Sequence, residues 1–281
     1  MRTPAYPVVV GVLTLFGLLG PTGARVAGPR LPDPVQTQDS QREPQPDAET
    51  DAIRAATVVA KVTREWMNGK MTTPGISVET RESGRTSANG QPLVRYNAFV
   101  HGAPKDQLYA LLEWPITQAS PSELMKGLTI SESGLVICAG RAPEQCVGEK
   151  RDDPVNFVIT AAKGEVFRIA LISEDGNTKI FFAVVPDPIV TKDKGCSLEA
   201  IRLLPRFELT LLRAKGYQPN EELLYASKSY DEAKEQHVKA DEDGTFTSAL
   251  LPFVKNKQNG KTDVRLQGAS CSPALSFEWG K

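Results

Sequence analysis

An apolar run extends from Val8 to Leu19, apolar positions then become sparse, and they return in two different rhythms. The first run is too short for a bilayer span, which needs roughly twenty apolar residues. It follows the positive start Met1-Arg2, is broken by Gly20-Pro21, and ends on the small residues Thr22-Gly23-Ala24. This pattern reads as a signal peptide over residues 1–24, cut after Ala24 with Gly28 as the second choice, leaving no membrane span in the mature chain. No cysteine closes the run, so lipid modification at that site is excluded. Residues 25–48, dense in Pro, Gln and charge, bury too little apolar surface to offset their chain entropy and read as a disordered spacer. Over 49–69 the period becomes helical. Thr50 or Asp51 caps the start, Ala55, Val58, Val59, Val62 and Trp66 share a face, and Asn68-Gly69 ends it. Such a helix is expected to pack on the sheet that follows; docking to a partner protein is the other reading.

After Thr73 alternation replaces the helical period. Ile76–Glu79 and Leu93–Val100 flank the turn pair Asn89-Gly90; Gln107–Trp114, Leu135–Ile137, Phe157–Ala161, Phe167–Leu171 and Ile180–Val185 follow, the last two separated by Asp175-Gly176. Short strands at roughly 8–12-residue intervals, with Asn-Gly and Asp-Gly between them, describe antiparallel sandwiches rather than a parallel α/β sheet. Val185-Pro186-Asp187-Pro188 reads as a stiff junction. Beyond it, Leu198–Leu204, Phe207–Leu212, Leu223–Ser227, Gln236–Ala240, Phe246–Leu250, Val264–Leu266 and Leu275–Trp279 form a second set, with Gln236–Ala240 and Phe246–Leu250 expected to pair across Asp243-Gly244. The fold class is mainly β: two tandem antiparallel Ig-like β-sandwich modules, 73–188 and 196–280, preceded by one short amphipathic helix.

Gly216-Tyr217-Gln218-Pro219-Asn220-Glu221, followed by Ala240-Asp241 through Gly244-Thr245-Phe246, resembles the Ig-like domains of exported bacterial proteins. Those carry a G-aromatic-x-P-x-E corner and an A-D-x-x-G-x-aromatic hairpin. The resemblance spans residues 196–280. It implies a sandwich architecture, a cell-envelope location, a binding or spacer role, and no shared catalysis. The Cys-Trp-Cys pattern of antibody domains is absent.

Charge and cysteine content narrow the picture. Lys and Arg number 33 against 34 Asp and Glu, for a net charge of −1, so no basic excess is available for nucleic acid. Four cysteines in an exported chain read as disulfides. Three pairings are possible; Cys138–Cys146 with Cys196–Cys271 is preferred because each bridge then stays within one module. The chain-entropy model gives at most about 2.6 kcal/mol for the short loop and about 4.5 for the long one. A redox pair or zinc site lacks both the C-x-x-C spacing and a neighbouring histidine.

Candidate chemistry is sparse. The two histidines, His101 in a turn and His237 in a charged strand, are the only imidazoles a hydrolase could use, and no G-x-S-x-G, H-E-x-x-H or Walker-type loop occurs. Asp241-Glu242-Asp243-Gly244 has the start of a calcium loop without its distal Glu, and reads as turn chemistry. No catalytic residue, metal site or cofactor is assigned. Trp66 and Trp279 are expected in cores, whereas Trp114 with Tyr109 is the candidate platform for a sugar. The expectation is an exported, periplasmic or extracellular, non-enzymatic binding or spacer element whose partner is an envelope protein or glycan. A carbohydrate- or matrix-binding module using Trp114 and Tyr109 is the first alternative, a hydrolase with an unfamiliar site the second.

Overall fold

The computed structural model describes residues 48–88, 90–139, 152–204, 206 and 208–280. The signal peptide and almost all of the spacer expected before Ala48 lie outside these residues, as do Asn89, Cys146 and Phe207.

The first sandwich packs a three-stranded sheet on a five-stranded one. β1 (Ser77–Ala88), β2 (Gln91–His101) and β6 (Phe157–Thr160) make the smaller sheet, in the order β1-β2-β6. β3 (Tyr109–Trp114), β4 (Ser122–Ile130), β5 (Val136–Cys138), β7 (Phe167–Ser173) and β8 (Lys179–Val184) make the larger, in the order β5-β4-β3-β7-β8. All their pairings are antiparallel, and the β1–β2 hairpin turns at Gly90, whose φ of 77° a side chain would strain. Val94, Ala98 and Phe157 from one sheet meet Leu111, Leu128, Leu171 and Ile180 from the other in a shared core. Alternation is what delivers them, because every second side chain of a strand points inward. β4 is a strand the hydrophobic pattern did not indicate, since Leu124 and Met125 stand side by side between polar residues and its first half is mostly exposed.

The second sandwich packs two four-stranded sheets. β9 (Ile189–Asp193), β10 (Cys196–Arg202), β11 (Thr210–Lys215) and β14 (Phe246–Leu250) lie in the order β14-β11-β10-β9. β12 (Glu222–Ser229), β13 (Glu232–Lys239), β15 (Asn259–Gln267) and β16 (Ala274–Gly280) lie in the order β13-β12-β15-β16. β16 buries Leu275, Phe277 and Trp279 and exposes Ser276 and Glu278, as its alternation requires. β9 lies just past the Val185–Pro188 junction, between the two expected modules, and pairs with β10. One expectation is corrected here. The Asp243-Gly244 turn does not close a hairpin: β13 pairs with β12 and β14 with β11, so the turn carries the chain from one sheet to the other.

One helix, α1 (Ala48–Met67), precedes the strands and packs on β7 and β8. Its buried face differs from the expected one. Ala60, Thr63 and Trp66 are buried and Val59 half-buried, whereas Ala55 is exposed and Val58 is 57% exposed. Trp66 sets this rotation, as its indole N–H donates to the carbonyls of Ile169, 2.9 Å away, and Phe182, 2.7 Å away. Thr72 and Thr73, just past the helix, cover the open edge of β8. The Thr72 hydroxyl accepts the amide of Phe181 (2.9 Å) and donates to its carbonyl (3.2 Å), and Thr73 does the same service for Lys179 through its own amide and hydroxyl. An edge satisfied in this way cannot recruit another strand.

Glu113 sits on the core-facing side of β3, in line with Tyr109 and Leu111, and is buried. Burial holds its carboxyl above the ordinary value, so the folded chain keeps this proton at pH values where the unfolded chain has lost it. The associated stability is complete in acid and is lost as pH rises through the raised value. Glu113→Gln is therefore expected to raise the melting temperature near pH 8 and to leave it unchanged near pH 3; equal shifts at both would contradict this account.

Candidate functional site

The most heavily built polar–aromatic cluster lies beneath α1. Trp66 packs on Trp114 with ring centroids 5.5 Å apart, and edge-on to Phe181 at 4.6 Å. The Arg168 guanidinium stands over the Trp114 ring, 3.8 Å from its centroid. Arg168 is 2% exposed and its charge is met by donation to the Trp114 carbonyl (3.1 Å), the Thr63 hydroxyl (3.1 Å) and the Pro115 carbonyl (3.5 Å). Burial lowers its pKa to about 10, so it stays cationic at neutral pH. A charge held this deep by carbonyls and one hydroxyl positions a helix; it has no open side for a substrate.

A third apolar cluster, beside the cores of the two sandwiches, joins them through this helix. Ala60 of α1 meets Ile116 and Val166 of the first sandwich and Ile201, Leu203, Leu209 and Leu211 of the second. Backbone pairing reinforces the seam: the Arg202 amide donates to the Gly164 carbonyl at 2.6 Å, and the Gly164 amide to the Asp187 carbonyl at 2.6 Å. Of the expected junction, Val185 packs against this shared core and the Asp187 carbonyl accepts the Gly164 amide.

The corner motifs of the second sandwich interlock. Gly216 has φ +93°, and a Cβ there would meet the Gly195 carbonyl oxygen at 2.4 Å. The buried Tyr217 donates its hydroxyl to the Leu266 carbonyl at 2.9 Å, across the sandwich, and desolvation holds its phenol well above the ordinary value. Glu221 accepts the amides of Gln218 (2.7 Å) and Ala269 (2.6 Å), tying the corner to the loop before β16. The Asp241–Thr245 turn docks on the same corner, since the Tyr217 amide donates to the Gly244 carbonyl and the Asn220 amide to that of Asp241. Gly244 sits at φ +72° with the Tyr217 oxygen 2.2 Å from where a Cβ would be, while Gly176 has the same φ and open space. Gly244→Ala is expected to cost more than about 2 kcal/mol and Gly176→Ala about 1 kcal/mol by chemical unfolding; equal losses would remove the docking contact as the cause.

The sequence-indicated site residues fall as follows. Tyr109 and Trp114 do not form one platform: they leave β3 on opposite faces, Tyr109 is 0% exposed with its hydroxyl on the Pro104 carbonyl, and the half-buried Trp114 ring is occupied by Arg168 and Trp66. Aromatic type and strand position do not reveal a helix lying over the sheet, so the sequence presents both residues as available. Arg168 and Thr63, which hold that helix, had no signal beyond a charge and a hydroxyl on otherwise apolar faces.

Cys196 and Cys271 are bridged, with Cα atoms 6.1 Å apart. Cys138 is disulfide-bonded, and its expected partner Cys146 lies outside the described residues. His101 ends β2 and His237 lies on β13, in different sandwiches and both exposed. The Asp243 carboxylate is taken up by the Thr245 amide and hydroxyl, which lower its pKa, and among the described residues no three His, Cys, Asp or Glu side chains gather as metal ligands. No helix of the described residues is long and apolar enough to cross a membrane.

No family model matches the sequence, and no curated protein matches it. Among solved structures, a two-domain fibronectin type-III segment of chicken tenascin is 14% identical, covering 72% of this chain and 98% of its own, at a TM-score of 0.20. A tetra-tandem repeat from the extending region of a large adhesion protein is 9% identical over 73% of this chain and 48% of its own, at 0.20. The BSP domain of a biofilm-associated protein is 8% identical over 83% of this chain and 55% of its own, also at 0.20. This chain thus spans about half the length of the last two, and at such scores the fold rests on its own sheets and cores.

Proposed function

We propose that this chain is an exported, non-enzymatic binding or spacer element of the cell envelope, its two sandwiches held at a fixed angle. The observation that carries this reading is the third apolar cluster, in which α1 and both sandwiches share one core. A spacer or presenting element must hold position against chain entropy, and a buried seam does so where a bare linker leaves the modules free to reorient. Disulfide-bonded cysteines belong to oxidising compartments, which supports export. The signal peptide over residues 1–24 and the spacer over 25–48 provide the route and the tether. Surface photo-crosslinking in intact cells, followed by mass spectrometry, is expected to join the mature chain to an envelope protein or glycan. Recovery of the chain in the cytosolic fraction with reduced cysteines would overturn the reading.

A further inference from the structure

Sheet edges are where a β fold leaves backbone donors and acceptors open to pairing, and three of the edge strands, β1, β13 and β8, carry visible guards. β1 carries Glu79, Arg81, Glu82 and Arg85 and is bulged between Glu82 and Gly84. β13 carries Glu232, Lys234, Glu235 and Lys239. β8 is covered by Thr72 and Thr73. Charge, bulges and covering segments are the usual means of keeping an edge from pairing with another chain.

β14 has none of these. It ends its sheet, with β11 as its only neighbour there, and from Thr245 to Val254 the chain has no charged residue. Ala249 is exposed, Leu251 is 37% and Phe253 42% exposed. A groove runs along each side of this strand. One, of about 370 Å³, separates it from β13 and includes Lys228, Glu232 and Lys234; the other, of about 310 Å³, separates it from α1 and includes Lys61 and Arg64. The ionic lining of the two grooves is therefore four cations to one anion, in a protein whose net charge is −1.

We propose that the open edge of β14 receives an extended peptide strand of a partner protein, uncharged where it pairs with β14 and acidic on its flanks. Backbone hydrogen bonds along the edge would supply affinity, and the basic rims would set register and orientation. The proposal rests on the reading of the chain as a binding element and names the chemistry of what it binds.

The test is selection of a random displayed peptide library on the full mature chain. Enriched peptides are expected to share an uncharged, β-branched or apolar centre with Asp or Glu on its flanks. Their binding is expected to slow amide hydrogen exchange within 246–251 and to weaken about tenfold in the double variant Lys61→Glu/Arg64→Glu. Both replaced residues are exposed, and an unchanged melting curve checks that the variant is folded. No enrichment, protection confined to other strands, or equal binding to the variant overturns the proposal. So does a self-associated dimer whose protection maps to β14, because a second copy would then be the occupant. Envelope capture that survives the double variant sinks the β14 site while leaving the broader binding role standing.

Discussion

Trp66→Ala is expected to lower the unfolding free energy by about 3–5 kcal/mol, the range for deleting a buried aromatic side chain. The side chain is 2% exposed, and its loss strands two carbonyl partners, at Ile169 and Phe182, inside the interface. It also removes the surface against which Trp114 and Phe181 pack. Because α1 contributes to the core shared by both sandwiches, the effect should extend beyond the helix. Urea unfolding is expected to change from one transition to two, and limited proteolysis to cut first between 48 and 70. A variant that keeps a single transition and loses less than about 1 kcal/mol would show that the helix does not hold the seam.

Cys196→Ser/Cys271→Ser is expected to cost up to about 4.5 kcal/mol, since the bridge closes a loop with a sequence separation of 75. Most of that effect acts on the unfolded chain, whose freedom the bridge restricts. The native site is also held by the Asp193 carboxylate, which accepts the Ser272 amide at 2.6 Å beside the bridge. The variant should therefore keep the fold of the second sandwich at low temperature and lose it earlier on heating. Calorimetry of the oxidised chain against the variant checks this, and equal melting temperatures would contradict it.

The sandwich architecture was legible because its strands are long enough to alternate. Leu275, Phe277 and Trp279 announce one buried face unaided, and the Gly216–Glu221 and Ala240–Phe246 motifs mark the corner they build. Pairing partners were less legible. A turn such as Asp243-Gly244 has the same local chemistry whether it closes a hairpin or crosses between sheets, and only the register of β11 and β12 decides. β4 and β9 were missed because much of their side-chain set faces solvent. The rotation of α1 could not be read from its apolar stripe. Val58 fits that stripe, yet Thr63 takes a buried place because Arg168 needs its hydroxyl. The surroundings of Tyr109 and Trp114 are hidden from the sequence for the same reason, since what covers a strand depends on elements distant in the chain.

The position of α1 decides where the rest of the polypeptide is attached. Its middle, at Ala60, lies in the seam, and its start at Ala48 is about 18 Å further along the helix axis. The helix is consequently anchored by its C-terminal half in the seam between the two sandwiches, and its first turns extend away from that anchor. Tension arriving from the N-terminal side would load the Ala60 seam contacts first, then the Thr63–Arg168 hydrogen bond and the Trp66 anchor, so the first mechanical event would be peeling of the helix, with both sheets still intact.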